Sequence, residues 1–110
     1  MKLNVGERLT LLTILPKEGD LLTLRIIRDL QASLSFTEED HVRYKIREEG
    51  TQVFWDDSAE GKDIDIGRKA HDIICSTFER LGKEHKLDIG WLATVERFLA
   101  ADESPTGEPG

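Results

Sequence analysis

His71, Cys75 and Glu79 could bind a metal or move protons, and they recur at i, i+4 and i+8. On a helix that spacing puts all three on one face. Zinc, the ion their chemistry suits best, takes four ligands, usually from two separate elements. His41 and His85 stand at no spacing that would complete the set. The three therefore read as a stripe beside an apolar face, with Cys75 acting as a small hydrophobe. The stretch DDSAEGKDIDIG offers a second candidate. Asp56, Ser58 and Glu60 fall at positions 1, 3 and 5 of a calcium loop, with Gly61 at position 6. Position 12 is then Gly67, where a bidentate Glu is required, and position 8 is Asp63 instead of an apolar residue. A solvated acidic loop is the expectation, and no metal or other cofactor is predicted.

Catalytic patterns are missing as well. The chain has no G-x-x-x-x-G-K-[ST], no G-x-G-x-x-G and no G-x-S-x-G. Cys75 with His71 lacks an orienting acid and an oxyanion hole. Glu38/Glu39 and Asp56/Asp57 are sequence neighbours. Adjacent side chains on a helix point apart and make poor acid–base pairs. The sequence predicts a protein that is not an enzyme.

One further constellation could do chemistry, by contacting nucleic acid. His41, Arg43, Lys45 and Arg47 cluster where a helix is expected to pass into a hairpin. Helix, turn, helix and hairpin in this order resemble a winged-helix DNA reader, with these four residues at the junction of recognition helix and wing. Glu38, Glu39 and Asp40 occupy the start of that helix, and Glu48-Glu49 the hairpin tip. Carboxylates there would repel phosphates. The plainer expectation makes Arg43, Lys45 and Arg47 solvated partners of Glu38, Glu48 and nearby acids.

The elements that position these residues follow from periodicity and caps. LTLLTILPKEGDLLTLRII, residues 9–27, contains two apolar runs around a polar break. Val5, Leu9 and Leu12 lie at i, i+4 and i+7, and Leu11 and Leu15 are four apart, which argues helix. Asn4 with Glu7 has capping-box spacing. Pro16 disfavours helical geometry at the residue before it. Asp20 is a good N-cap for a second helix, whose stripe would be Leu22, Ile26 and Leu30 widened by Leu24, Ile27 and Leu34. The two runs read as an αα-hairpin joined by PKEG, not as a duplication or a membrane hairpin. Thr37 with Asp40 repeats the capping-box spacing and predicts a short third helix from Glu38 to about Tyr44.

The period then changes. Tyr44 and Ile46 alternate with Lys45 and Arg47, and Val53 and Trp55 with Gln52 and Phe54. Gly50 between them can supply the positive φ of a hairpin turn. KDIDIG alternates again, with Ile64 and Ile66 on one face, as a third strand. Helical period returns from Arg68, with Ala70, Ile73, Ile74, Phe78 and Leu81 as its stripe and Gly82 as its stop. Asp88 can cap a last helix carrying Trp91, Leu92, Val95, Phe98 and Leu99. The expectation is α+β: three N-terminal helices, a small antiparallel three-stranded sheet and two C-terminal helices.

At 110 residues the chain is long enough to bury a core without metals or disulfides. Residues 1–100 form the expected single globular domain. Residues 101–110, with two prolines, two glycines and three acids, are the expected flexible tail. The net charge is −7, of which −1 lies in residues 1–55 and −6 in residues 56–110. Such a chain is repelled at long range by nucleic acid and anionic lipid. One cysteine fits a reducing compartment. No apolar run approaches the roughly 20 residues of a membrane span, and no leader with a small-residue cleavage site is visible.

GERLTLLTILPKEGDLLTLRIIRDLQASLSFTEED, IDIGRKAHDII and FERLGKEHKL resemble a group of small acidic proteins encoded in bacteria and their phages. The likeness covers most of the chain except the tail. It rests on caps, apolar stripes and turns, and it transfers no site residues. It implies a soluble bacterial or phage protein of the cytoplasm. The expected function is a non-catalytic protein-interaction or assembly module, working with a protein partner or as a homo-oligomer. A winged-helix-like transcription regulator is the alternative, and an acidic decoy of DNA a third reading.

Overall fold

Asn4 starts the first helix in the way its spacing from Glu7 requires. Its side chain accepts the Glu7 N–H at 2.8 Å, and the Glu7 carboxylate accepts the Asn4 N–H at 2.9 Å. Helix α1 runs Val5–Ile14 in the computed structural model, which describes residues 1–103. Leu15 ends the helix with Pro16 after it, and Asp20 caps α2 (Leu21–Leu34) by accepting the Thr23 N–H at 2.8 Å. The third helix, α3 (Glu38–Arg43), begins with the second capping box, Thr37 with Asp40. The fold is α+β, as the pattern of periods implies. No helix among the described residues is long and apolar enough to cross a membrane.

The strands depart from the expected three-stranded sheet. They form two separate antiparallel pairs. One is the hairpin β2 (Arg47–Glu49) with β3 (Gln52–Phe54), in register Arg47 opposite Phe54, closed by Gly50 at φ 66° and Thr51. The other joins β4 (Lys62–Asp63) to β1 (Lys2–Leu3) at the start of the chain. The KDIDIG segment thus pairs with an edge too short to leave a periodic signal. The pairing serves the core, since Leu3 and Ile64 are both buried. It also needs Gly61, because a Cβ there would come within 2.9 Å of the Leu3 carbonyl oxygen.

Two helix ends also differ from expectation. Gly82 does not stop α4, which runs Arg68–Lys83. His85 takes the left-handed conformation instead, at φ 58°. Its N–H donates to the Gly82 carbonyl, and the Lys86 N–H to that of Leu81. This is the Schellman arrangement, in which a left-handed residue turns two amides back onto the helix's last carbonyls. Gly82 leaves room for Leu87, whose Cδ1 would stand 3.3 Å from an added Cβ. Helix α3 ends in the same way. Lys45, at φ 52°, donates to Val42, and Ile46 to His41. Tyr44–Ile46 is therefore a helix exit, and the hairpin strand starts only at Arg47.

Asp88 caps a 3-10 turn, Ile89–Trp91, that leads into α5 (Leu92–Glu103). The helix takes in the first three residues of the expected tail, and residues 104–110 lie outside the described residues. The core gathers Leu11, Ile14 and Leu15 around α1, Ile27, Leu30 and Leu34 of α2, Ile74, Cys75 and Phe78 of α4, and Val95 and Phe98 of α5. Helix α4 is central. Phe98 of α5 lies against Phe78 and His71, and its carbonyl oxygen is 3.6 Å from Cys75 Sγ. A different flank of α4, with Ile73, Thr77 and Arg80, shares a groove with Thr23 of α2. Helices α2 and α5 thus cover separate flanks of α4.

Candidate interaction surfaces

The four residues singled out as nucleic-acid contacts each meet different neighbours. His41 is exposed, with Nδ1 2.9 Å from the Thr37 carbonyl oxygen and its ring edge-on to Phe36. Arg43 lies across the Tyr44 ring and directs Nη2 to the Glu60 carbonyl at 3.5 Å. Lys45 occupies the left-handed helix exit. Its charge adds to hydrogen bonds from Ser58 in lowering the Asp56 carboxyl. Arg47 donates to Glu49 at 3.0 Å and lies over Phe54. Three of the four are engaged by local acceptors, Arg47 by a nearby acid as expected, although that acid is Glu49 and not Glu48.

The acidic start of α3 has an internal task. Asp40 is buried, and its Oδ2 accepts the Thr37 N–H at 2.9 Å, Arg8 Nη2 at 3.2 Å and Lys62 Nζ at 3.4 Å. Burial pushes this carboxyl up. The Thr37 N–H, Arg8 and Lys62 outweigh burial and hold it down at about 2. Arg8 has no exposed surface. It donates through Nε to Leu34 O and through Nη2 to Ser35 O, at 3.1 and 2.7 Å, and stacks 4.2 Å from the Phe36 ring centre. One polar joint therefore fixes α1, the end of α2 and the start of α3. Sequence reasoning saw the cap in Asp40 but missed Arg8, whose single charge ahead of an apolar run carries no sign of burial.

Beside this joint lies a cleft of about 850 Å³ lined by Lys2, Arg43 and Lys62 together with Glu38, Glu39, Glu60 and Asp63. Acids outnumber cations there, and Lys2 is already paired with Glu60 at 2.8 Å. The cleft has no surplus of positive charge with which to hold a phosphate. The acidic loop is tied internally as well: Asp57 accepts the Trp55 indole N–H at 2.7 Å, and Asp56 the Ser58 N–H at 2.8 Å. On α4, Cys75 Sγ lies 3.7 Å from His71 Nδ1. Among the described residues, no group of three or more His, Cys, Asp or Glu is placed to hold a metal ion.

What the surface does present is apolar. Leu21, Leu22 and Leu24, in the first turn of α2, are 65%, 57% and 36% exposed. Ile89 in the 3-10 turn is 84% exposed, and Leu92 at the start of α5 is 45% exposed. The sequence placed Leu22 and Leu24 in the buried stripe of α2 and Leu92 on the apolar face of the last helix. Of the expected α2 stripe, Ile27, Leu30 and Leu34 are buried and Ile26 packs against the core, while Leu22 and Leu24 stay outside. At 100° per residue, Leu21, Leu24, Arg25 and Arg28 lie on the far side of that row. The available signal was that apolar residues in α2 extend more than halfway round the helix, beyond what one core face needs. Comparison with protein-family models, with curated proteins and with solved structures finds no match to this chain.

Proposed function

We propose that this chain is a non-catalytic protein-interaction or assembly module, of bacterial or phage origin and acting in the cytoplasm. The observation that carries this reading is the exposure of Leu21 and Leu22 on a helix whose opposite face is already committed to the core. Large apolar side chains grouped at the surface are the usual mark of a protein contact. The bacterial or phage origin rests on the resemblance of the segments quoted above. The cytoplasmic placement rests on the single cysteine, which fits a reducing compartment.

The test is affinity capture from bacterial lysate with the wild-type chain and with a Leu21→Ser/Leu22→Ser variant, both checked for an unchanged circular-dichroism spectrum. A protein retained by the wild type and lost with the variant is the expected result. Equal capture by both would remove α2 from the reading. The winged-helix alternative keeps one favourable observation, the order α2, α3, hairpin. Fluorescence anisotropy with promoter and random duplexes decides it. Salt-sensitive binding lost with Arg43→Ala/Arg47→Ala would replace the interaction module with a DNA reader.

A further inference from the structure

Two exposed faces of this chain are complementary to each other and cannot meet within one molecule. The outer face of α2 carries Leu21, Leu24, Arg25 and Arg28, so it is apolar and basic. Arg25 has no ion pair among the described residues, and Arg28 has only its neighbour Asp29, at 3.6 Å and largely in water. The outer face of the 3-10 turn and α5 carries Ile89, Leu92 and Glu96, so it is apolar and acidic. Ile89 to Leu92 is one full 3-10 turn, and Leu92 to Glu96 is one further helical turn, which aligns the three along one ridge. Glu96 also has no ion pair among the described residues, whereas its neighbour Arg97 is held by Glu7 at 2.8 Å.

Helices α2 and α5 lie on separate flanks of α4, so the two faces look outward in different directions. We infer that the chain associates with copies of itself head to tail, the α2 face of one copy seating on the Ile89–Leu92–Glu96 ridge of the next. This deepens the interaction-module reading and rests on it. Charge selects the geometry. A twofold pairing of α2 with α2 would bring Arg25 and Arg28 against the same cations. A twofold pairing of the ridges would bring Glu96 against Glu96. The heterologous contact instead sets Arg25 and Arg28 against Glu96 while burying leucine against isoleucine. Such a contact leaves one face of each kind open at the ends of every oligomer, so growth continues until a ring closes. The net charge of −7 makes copies repel one another at long range. At physiological salt that repulsion is screened beyond about 8 Å while contact pairs keep most of their attraction. Each patch is small, so association should be weak and strongly dependent on concentration.

Sedimentation velocity at physiological salt tests this with two surface variants. Arg25→Glu/Arg28→Glu disables the basic face and keeps the ridge. Ile89→Ser/Glu96→Gln disables the ridge and keeps the basic face. All four positions are exposed, and unchanged circular dichroism and thermal midpoint confirm the fold. The wild type should show a mean mass that rises with concentration past the dimer. Each variant alone should associate about tenfold more weakly or worse. An equimolar mixture of the two should give a species of two copies that grows no further, because one good face of each kind remains. A monomeric wild type, growth by either variant alone, or a mixture that stays monomeric would each overturn the inference. If the wild type is monomeric yet captures a lysate protein through Leu21 and Leu22, self-association falls and the interaction module stands.

Discussion

The two joints that hold this molecule together use opposite means. At the N-terminal joint, α1, α2 and α3 meet on the side chain of Arg8, buried to 0% exposure and paired with Asp40. At the C-terminal joint, α4 and α5 meet on Phe78, Phe98, Val95 and Cys75, with no ion pair between those four. Both joints are buried, but they fail differently. Emptying an apolar joint leaves a cavity, whose cost depends on how far the neighbours collapse. Removing one partner of a buried ion pair leaves the other charge without solvent or counterion. Directionality differs as well. The guanidinium reaches two carbonyls at the end of α2 and one carboxylate at the start of α3, so it fixes a turn in a way that ring packing cannot.

Breaking the polar joint should have the largest effect. Asp40→Ala leaves Arg8 buried and uncompensated, at about 3–5 kcal/mol. It also removes half of the α3 capping box, worth about 1 kcal/mol more. Urea unfolding followed by the fluorescence of Trp55 and Trp91 would read the loss. A cost below about 1 kcal/mol would mean that Lys62 and water take over the site. Phe98→Ala should come next, at about 3–5 kcal/mol with no cap lost.

Acid separates the two joints more sharply than mutation does. The folded Asp40 carboxyl sits at about 2, below its ordinary value of 3.8. A group depressed by folding stabilises the fold above its unfolded pKa and loses that contribution as pH falls through the folded one. The stabilisation from Asp40, about 2 kcal/mol from this shift, should therefore be complete above about pH 5 and fade towards pH 2. Measured against Asp40→Asn, which cannot titrate, the wild-type advantage should shrink over that window. The deficit of Phe98→Ala relative to wild type should stay constant across it. A constant difference between wild type and Asp40→Asn would show that the Asp40 carboxylate is not the titrating support of the joint.

The same contrast explains what could be read from the chain. Apolar periodicity located α4, α5 and most of their buried faces, because a repeated stripe leaves the same mark on sequence and core. The capping boxes at Asn4 and Thr37 were legible for the same local reason: donor and acceptor stand three residues apart. The polar joint was not legible. Arg8 and Asp40 are 32 residues apart, and nothing local distinguishes a buried arginine from a solvated one. The β1–β4 pairing was hidden likewise, since two-residue strands have no period to detect. Leu22 and Leu24 of α2 were misplaced because the apolar arc of this helix is wider than one core face needs, and the pattern does not say which edges of the arc stay outside. Only packing against α4 shows which side is inward.

The smallest effects lie at the two helix exits, where the joints pass into the next element. Lys45 and His85 both hold a left-handed backbone that side chains with a Cβ adopt at a cost of roughly 1–2 kcal/mol. Glycine removes that cost, but it also adds freedom to the unfolded chain, which returns about 0.5–1 kcal/mol. His85→Gly should therefore stabilise the protein by only about 0.5–1 kcal/mol. Lys45→Gly should gain less, because Lys45 also acts on Asp56 and that attraction is lost. The order of the two substitutions in a thermal melt is the sensitive part of the prediction. Should Lys45→Gly gain as much as His85→Gly, the charge of Lys45 contributes nothing at the α3 exit. Should His85→Gly destabilise, the imidazole makes a contact at the end of α4 that outweighs the strain of its backbone.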